Sequence, residues 1–266
     1  MDPSQCGQVC NYDPSSAAGD YLAIAALGYA ADAPTCANKT IGIPSGRYIN
    51  IAQYSETIFL SQANLIGVVG LIIPDRKEIV IAFNGTAPGM QLFWEAFMTI
   101  LIPKQDLNLV KGGTVEVQEY FLHAFTTLEP WVTAYLSKYW TPDLKLTFVG
   151  HSLGSAIASV AAIYYSPANP MPNWPAFWTT SPPRLYTMGM PRVGSYTYAK
   201  IHDQYVKDSW RITHKSDIVP HLPWCDGTVV EYVRFCTATP LNAGAPYHHG
   251  TEVSGSFVTI TCNHGG

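Results

Sequence analysis

The stretch 144–162 joins an apolar run, a glycine-flanked serine and a run of small residues, and it constrains the fold more than any other part of the chain. Residues 144–149 (LKLTFV) suit a strand, residues 150–154 (GHSLG) have the pattern G-x-S-x-G, and residues 155–162 (SAIASVAA) suit a helix. A strand that turns sharply into a helix at such a serine strains the serine backbone and exposes its hydroxyl. The N-terminal end of the helix then faces any negative oxygen formed beside the serine. The pattern predicts that Ser152 is a nucleophile; the alternative is an ordinary turn between strand and helix.

The rest of the pattern predicts strands that alternate with helices. Apolar, β-branched runs at 67–73 and 78–83 flank a Pro-Asp-Arg-Lys segment, a combination typical of a hairpin. Apolar residues recur at helical spacing through 112–139. The alternation favours a three-layer α/β domain around a central mixed sheet, with residues 1–266 forming a single domain. The other predicted elements are a helix at 21–31, a strand at 144–149, a helix at 153–165, a proline-rich loop at 167–183, and strands at 185–188 and 210–213.

Charge is scarce in this chain. Charged residues make up 13%, about half the usual share, and the net charge is −4 without a basic stripe, which argues against nucleic acid as a partner. Apolar residues make up 47% and aromatic residues 12%, so apolar atoms must reach the surface, which favours apolar or aromatic substrates. No run of about eighteen residues is free of polar interruption, so the sequence predicts no transmembrane segment.

An even number of cysteines, without the tight spacing of a metal site, predicts three disulfides and therefore a secreted protein. Reduced cysteines in a cytosolic enzyme are the alternative. Cys225 and Cys236 bracket a predicted hairpin turn at 226–228 and form the favoured pair. The apolar segment 21–31 has no Lys or Arg before it, so we expect the first helix of a processed chain rather than a signal core, with residues 1–3 as an added start. The cysteines are Cys6, Cys10, Cys36, Cys225, Cys236 and Cys262.

A serine hydroxyl needs a base to take its proton and an acid to orient that base. In hydrolases with this strand–turn–helix element, the acid follows the serine and the histidine comes last. Asp217 is the favoured acid because it follows the predicted strand at 210–213, and sites in open α/β sheets lie at the carboxyl ends of strands. A loop-capping aspartate is the alternative. His248 and His249 come late enough to return to the site, and the residues alone leave open which is the base. The less favoured candidates are the acids Asp203, Asp208 and Asp226 and the histidines His151, His214, His221 and His264.

Five separated segments resemble the class 3 (fungal-type) triacylglycerol lipase family, which also contains feruloyl esterases. They occur in family order and span most of the chain. The resemblance implies an α/β-hydrolase fold, with a central, mostly parallel mixed sheet flanked by helices and a helical lid. The segments are Phe83-Asn84-Gly85-Thr86, then 150–154, 187–194, 211–220 and 247–252.

The resemblance also implies catalytic roles. Ser152 matches the nucleophile of the family, and Asp217 matches its acid. The histidine of the family lies four residues before a glutamate, which selects His248 over His249 as the base. These three residues imply a two-step acyl transfer, in which water hydrolyses the acyl-enzyme.

Two further features come only from the resemblance. Thr86 matches the oxyanion-hole residue, and Leu153 supplies the second N–H because it follows the nucleophile. A pairing of a helix-end cysteine with a C-terminal one implies Cys36–Cys262 and leaves Cys6–Cys10.

The sequence departs from the family at three places. Asn84 stands where the family usually has arginine, so the support of the oxyanion loop is expected to differ. Asn84-Gly85-Thr86 is also a glycosylation sequon, and we predict that it is unused because a glycan there would obstruct acyl entry. Ser155 stands where a second glycine is common. Residues 117–121 replace a His-x-Gly-Phe motif, and the sequence offers no account of that change.

The segment of about 89–104 is almost entirely apolar, with one charge at Glu95 before Pro103. In the family this position is a lid that opens at a lipid surface, and a helix that is apolar all round is either buried or waiting for an apolar partner. A plain core helix is the alternative. The residues expected to form the lid and contact substrate are Leu92, Phe93, Trp94, Phe97, Met98 and Leu101.

Together these features predict a secreted carboxylic ester hydrolase, a triacylglycerol lipase that works as a monomer at a lipid–water interface. Feruloyl or other aromatic-acid esterase activity is the alternative, and a non-catalytic lipid-binding relative is a minor one. The sequence implies no organic cofactor and no metal.

Overall fold

The computed structural model describes residues 20–30, 32–39, 46–59, 63–84, 104–107, 115–169, 182–214, 217–222, 227–230, 233–236, 246–249 and 251–255. The helices in these residues are α1 (Leu22–Leu27), α2 (Ala33–Lys39), α3 (Glu119–Tyr139), α4 (Leu153–Tyr164) and α5 (Tyr196–Tyr205). The strands are β1 (Ile49–Phe59), β2 (Ala63–Ile73), β3 (Glu78–Asn84), β4 (Lys104–Asp106), β5 (Glu116–Gln118), β6 (Lys145–His151), β7 (Arg184–Met188), β8 (Gly194–Ser195), β9 (Ser209–His214), β10 (Gly227–Val230), β11 (Val233–Cys236), β12 (Pro246–Tyr247) and β13 (Thr251–Gly255).

Seven strands form one mixed sheet in the order β1-β2-β3-β6-β7-β9-β13. The pairs β1–β2 and β2–β3 are antiparallel, and every later pair in this order is parallel. The parallel strands therefore bring their carboxyl ends to one edge of the sheet. This is the mostly parallel mixed sheet, flanked by helices, that the sequence predicts.

The alternation of side chains along β3 separates two apolar cores. Ile81 packs in the core with Phe125 of α3 and Ile157 of α4 on one face. The preceding residue, Val80, packs with Ile24 of α1 on the other face. Because successive residues of a strand point to opposite faces, a strand covered on both sides must be apolar throughout, and all seven residues of β3 are buried.

Several predicted elements are confirmed. The hairpin at 67–73 and 78–83 is β2 and β3, joined by a 3-10 turn at Pro74–Arg76. The strands predicted at 144–149, 185–188 and 210–213 are β6, β7 and β9, and the helix at 153–165 is α4.

Two sequence predictions are wrong in their bounds. The helix predicted over 112–139 begins at Glu119, because Glu116–Gln118 forms β5 and pairs with β4. The hairpin turn predicted at 226–228 is also misplaced. Gly227 lies in β10, opposite Cys236 of β11, so the turn follows Val230.

Other elements had no counterpart in the sequence prediction. These are the edge strand β1, helix α5 and strand β13, which extends the sheet beyond β9. Thr86 and the lid segment lie outside the described residues, except Lys104, which begins β4, and so does most of the loop predicted at 167–183. None of the described helices is long and apolar enough to cross a membrane.

Candidate active site

Ser152 lies at the turn between β6 and α4, with φ 55° and ψ −126°. A non-glycine residue at this φ is in a sparsely populated backbone region, which it keeps only when its surroundings hold it there. The residue is half-buried. The strained strand-to-helix turn predicted for Ser152 is therefore present.

Two hydrogen bonds to one carbonyl hold this turn. The Ser152 backbone N–H donates to the carbonyl of Met188, at the end of β7, over 2.8 Å. The Ser155 hydroxyl donates to the same carbonyl over 3.0 Å. This bond explains a serine where a second glycine is common in the family. A Cβ on Gly154 would lie 2.2 Å from the carbonyl oxygen of Phe83, so the start of α4 packs directly on the end of β3.

Leu153 is the first residue of α4 and is fully buried. The first N–H groups of a helix have no acceptor within the helix, and they carry its positive dipole end. An oxyanion beside Ser152 would meet this helix end. The second predicted donor, Thr86, lies outside the described residues.

Asp217 follows the carboxyl end of β9 in a tight turn. Its backbone N–H donates to the carbonyl of His214 over 3.0 Å, and its Oδ1 accepts from the Val219 N–H over 2.9 Å. Its Oδ2 lies over Gly189: a Cβ on that glycine would be 2.6 Å from the oxygen. Gly189 has φ +59°, so a side chain there would be strained as well as blocked.

Met188 and Gly189 connect the serine with the acid. Ser152 bonds the Met188 carbonyl, and the Asp217 carboxylate rests on the next residue, Gly189. Ser152 and Asp217 therefore flank the end of β7 at the carboxyl edge of the sheet.

His151, inside the predicted turn, contacts a tyrosine rather than the serine. Its Nδ1 lies 3.3 Å from the hydroxyl of Tyr29, which also donates to the His151 carbonyl over 3.1 Å. Desolvation by the surrounding chain lowers the pKa of His151, and the Asp217 carboxylate opposes that shift. These contacts agree with the placing of His151 among the less favoured candidates for the base.

His248 lies beside the turn that follows Asp217. Its Nε2 is 2.5 Å from the carbonyl of Pro220, which requires Nε2 to carry a proton and donate it. Its Nδ1 is buried and has no hydrogen-bond partner in the described residues. Burial lowers the pKa of His248 well below its usual range, and the cations Arg211 and Arg192 add to that effect, so the ring is neutral. Within the part of the chain that the structure describes, no hydrogen bond joins His248 to Asp217 or Ser152, so its role as the base stays a prediction.

His249 contacts α4 farther along the helix than Ser152. Its Nε2 lies 2.5 Å from the hydroxyl of Ser159, which is seven residues beyond Ser152. Its ring stacks on His202 of α5 with centroids 3.4 Å apart. Burial, followed by the neighbouring His202, lowers the pKa of His249 well below its usual range. These two contacts hold His249 away from the serine turn. The sequence did not reveal this, because His248 and His249 are adjacent in the chain.

The less favoured acids lie away from this edge. Asp208 precedes β9 and bonds residues at the amino ends of β6 and β7. Asp203 is on α5 beside His202 and His249. Asp226 lies outside the described residues. Asp217 is thus the candidate acid that the fold brings to the carboxyl edge.

Asn84 ends β3 with only 7% of its surface exposed. A Cβ on Gly67 would lie 2.9 Å from the Asn84 side-chain atoms, so the amide fills the space over that glycine. Its Oδ1 is buried without a partner in the described residues. A buried amide has no room for a glycan, which supports the prediction that this sequon is unused.

Comparison with known proteins agrees with this geometry. The sequence profile of the family described as Lipase (class 3) matches residues 80–227, more than half of the chain. Lipase ZK262.3 of Caenorhabditis elegans is 27% identical over 247 residues, which cover 87% of this chain and 63% of that protein. Secreted mono- and diacylglycerol lipase 1 of Fusarium solani is 33% identical over 150 residues, which cover 56% of this chain and 40% of that protein.

Solved structures agree on the fold. The LIP2 lipase of Yarrowia lipolytica, in its nonglycosylated form, superposes with a TM-score of 0.60 at 19% identity, over 88% of this chain and 77% of that one. A triacylglycerol lipase whose catalytic centre is described as a serine protease triad superposes with a TM-score of 0.59 at 22% identity, over 88% and 77%. Because the sequence identities are this low, the comparison with these structures shows a shared fold alone.

A serine at a strained strand-to-helix turn, on a mostly parallel sheet with helices on both faces, defines an α/β-hydrolase. The match to the family profile over more than half of the chain is more specific than the fold. The chain belongs to the class 3 lipase family. It spans 63% and 40% of the length of the two curated relatives named above.

Proposed function

We propose that this protein hydrolyses carboxylic esters of lipids, with Ser152 as nucleophile and Asp217 as the acid of its catalytic group. The observation that carries the proposal is the joint placement of these residues around Met188 and Gly189. Ser152 is strained at the start of a helix, and Asp217 lies at the end of a neighbouring parallel strand. Buried structural serines rarely occupy such a backbone conformation.

The proposed reaction has two steps. The Ser152 hydroxyl attacks the ester carbonyl carbon while a histidine takes its proton, and the oxyanion binds the N–H groups of Leu153 and Thr86. The intermediate then expels the alcohol, which receives that proton, and leaves an acyl-serine. Water attacks the acyl-serine by the same route and releases the fatty acid.

His248 is our proposed base. It is neutral and lies next to Pro220, three residues beyond Asp217. To act, its ring must leave the Pro220 carbonyl, place Nδ1–H on Asp217 and turn the Nε2 lone pair toward Ser152. His249 is disfavoured as the base because its ring already contacts the Ser159 hydroxyl and stacks on His202.

The proposed substrates are acylglycerols at a lipid–water interface, with the segment of about 89–104 as the lid of a monomeric enzyme. The names of the relatives support lipids as substrates, since they include a mono- and diacylglycerol lipase. Secretion is supported by the secreted relative and by the disulfide that Cys36 forms, since structural disulfides persist in oxidising compartments.

A serine-directed phosphonate tests the nucleophile. We expect one adduct, located on Ser152 by peptide mass mapping, and none in Ser152→Ala. Ser152→Ala should lower esterase activity at least about 10⁴-fold, and Asp217→Asn about 10³- to 10⁴-fold. Ser166→Ala is the matched control, because it removes a buried serine just past the C-terminal end of α4. An unmodified Ser152, or full activity in Ser152→Ala, would indicate a non-catalytic lipid-binding protein.

A second set of variants tests the base. We expect His248→Ala to abolish phosphonate labelling while His264→Ala and His151→Ala retain it. Full labelling in His248→Ala would reject His248 and leave Ser152 and Asp217 in place. Loss of labelling in one of the other two variants would identify the base instead.

The substrate class is tested with emulsified long-chain triacylglycerol and with methyl ferulate, each below and above the solubility limit of the glyceride. We expect glyceride cleavage to rise sharply once an emulsion forms. A preference for ferulate without such a rise would favour an aromatic-acid esterase.

A further inference from the structure

Two buried histidines lie in contact near Ser159, about two turns along α4 from the candidate active site. His202 of α5 is fully buried, and neither of its ring nitrogens has a hydrogen-bond partner in the described residues. His249, 2% exposed, stacks on it. The Nδ1 of His249 also has no partner in the described residues.

Such nitrogens are energetically unfavourable as they stand. A buried polar group that loses water and gains no hydrogen bond destabilises the folded state by about 1–3 kcal/mol. Native proteins therefore leave few of them, and those that occur call for a bound ion or an equivalent partner. One metal ion could take a nitrogen from each of the two rings.

A carboxylate completes the group. Asp203, next to His202 in α5, is exposed at the helix surface. One ligand atom from each of His202, Asp203 and His249 lies within 4.8 Å of the others. Neutral imidazole with a carboxylate is a ligand set that suits zinc, which commonly takes three protein ligands and leaves a fourth position for solvent.

We propose that His202, Asp203 and His249 bind one Zn²⁺ ion, which fastens the His248–His249 segment to α5. The sequence predicts no metal because its cysteines lack metal-site spacing, and this set contains no cysteine. The proposal does not rest on the proposed ester hydrolysis.

The surroundings of His249 resemble those of a metal ligand. Its Nε2 lies 2.5 Å from the Ser159 hydroxyl, and that hydroxyl lies 2.6 Å from the hydroxyl of the fully buried Tyr198. If Nε2 donates its proton to Ser159, Nδ1 keeps the lone pair that a metal needs. Histidine ligands usually donate their other N–H in this way, which fixes the tautomer and the ring orientation.

Metal binding needs one of the two stacked rings to turn, because their in-plane lone pairs do not converge on one point, and it needs the ligand atoms to come closer. Tetrahedral ligands about 2.1 Å from zinc lie about 3.4 Å apart. Atoms at up to 4.8 Å must therefore approach by about 1.4 Å. Asp203 can supply much of this movement because its side chain is on the exposed surface of α5.

The proposed site is separate from the serine turn. Ser159 is two helical turns along α4 from Ser152, a distance of about 10 Å. Zinc binding can therefore be measured without reference to esterase activity.

The test uses the full chain, freed of metal by a chelator and titrated with ZnCl₂ by calorimetry, with bound zinc counted by mass spectrometry. We expect one zinc per chain and a rise in Tm with zinc. Asp203→Asn should raise the Kd at least about tenfold, and His249→Gln more, because each removes a ligand. Ser159→Ala should weaken binding without abolishing it.

His123→Gln is the matched control, since it removes a half-buried histidine of α3 that belongs to no such group among the described residues. It should bind zinc as the unmodified protein does. Asp203→Asn keeps the test decisive even if His249→Gln fails to fold, because Asp203 is exposed. Substoichiometric zinc, or a Kd unchanged by Asp203→Asn, would overturn the proposal.

Discussion

At the residue scale, the candidate active site is placed by backbone contacts. The Met188 carbonyl holds the Ser152 N–H, and the Cα of Gly189 forms the surface on which the Asp217 carboxylate lies. The positions of Ser152 and Asp217 therefore depend on Met188 and Gly189, whose side chains have no role in the proposed reaction.

Replacing Gly189 with alanine tests this dependence. The new Cβ would lie 2.6 Å from Asp217 Oδ2, so the carboxylate must move. We expect kcat/KM to fall about 10- to 100-fold, because small displacements of a catalytic group have effects of this size. Alanine at positive φ should also destabilise the protein by about 1–2 kcal/mol.

Gly46→Ala separates the two effects. Gly46 has φ +78°, and a Cβ there meets nothing within 4 Å. This variant should suffer a similar loss in Tm and keep full esterase activity. Equal activity in the two variants would show that the position of the Asp217 carboxylate does not depend on Gly189.

At the element scale, the two edges of the parallel strands have different roles. The carboxyl edge carries Ser152 and Asp217, whereas Asp208 ties the amino ends together. Asp208 accepts hydrogen bonds from Lys145 at the start of β6, Arg184 at the start of β7 and the Trp210 ring of β9, at 3.1, 2.7 and 2.7 Å. One carboxylate thus links three neighbouring strands.

Asp208→Asn should destabilise the protein in a pH-dependent way. Burial alone would raise the pKa of Asp208, but hydrogen bonds from Trp210 and Arg184, with the charges of Arg184 and Lys145, hold it below its usual value. The folded state therefore binds this proton less readily than the unfolded chain does. The stabilisation is complete above about pH 4, the pKa of an unfolded aspartate, and is lost as the pH falls through the lower folded value.

Urea unfolding of the two proteins at several pH values measures this effect. We expect Asp208→Asn to lower the free energy of unfolding by about 2 kcal/mol at pH 7, with the difference shrinking below about pH 4. Asp75→Asn is the control, because that carboxylate lies at the same end of the sheet with its side chain 62% exposed. A difference independent of pH would contradict the electrostatic origin.

At the scale of the whole molecule, helix α2 is attached to the edge strand β1 and also carries a disulfide-bonded cysteine. Gln53 of β1 accepts from the Ala33 N–H over 2.9 Å and donates to the Ala30 carbonyl over 2.8 Å. Cys36 in the same helix is disulfide-bonded, and the described contacts do not identify its partner. The pairing Cys36–Cys262 therefore stays a prediction.

Peptide mapping under non-reducing conditions identifies the partner. We expect one cross-linked peptide pair that contains Cys36 and Cys262, and a loss of about 2–4 kcal/mol in Cys36→Ser, because a long loop is then no longer closed. A bond from Cys36 to Cys6 or Cys10 would contradict the pairing.

Local patterns in the sequence predict the β2–β3 hairpin and the β6–α4 turn because each depends on neighbouring residues. The start of α3 was predicted too early since residues 116–118 pair with distant strands, and that pairing overrides the helical spacing. Helix α5 and strand β13 escaped prediction for a similar reason. The partners that define them are distant in sequence, as in the pairing of β13 with β9.

The sequence by itself determined the serine turn, since a strand, two glycines and a small-residue helix dictate its conformation locally. It also placed Asp217 after a strand, a position that follows from the order of elements. Only the tertiary structure decided that the two adjacent histidines have different neighbours. His248 lies at the Pro220 carbonyl, whereas His249 packs against His202. Adjacent residues of an irregular segment can point into separate regions, and long-range packing selects which region each one enters.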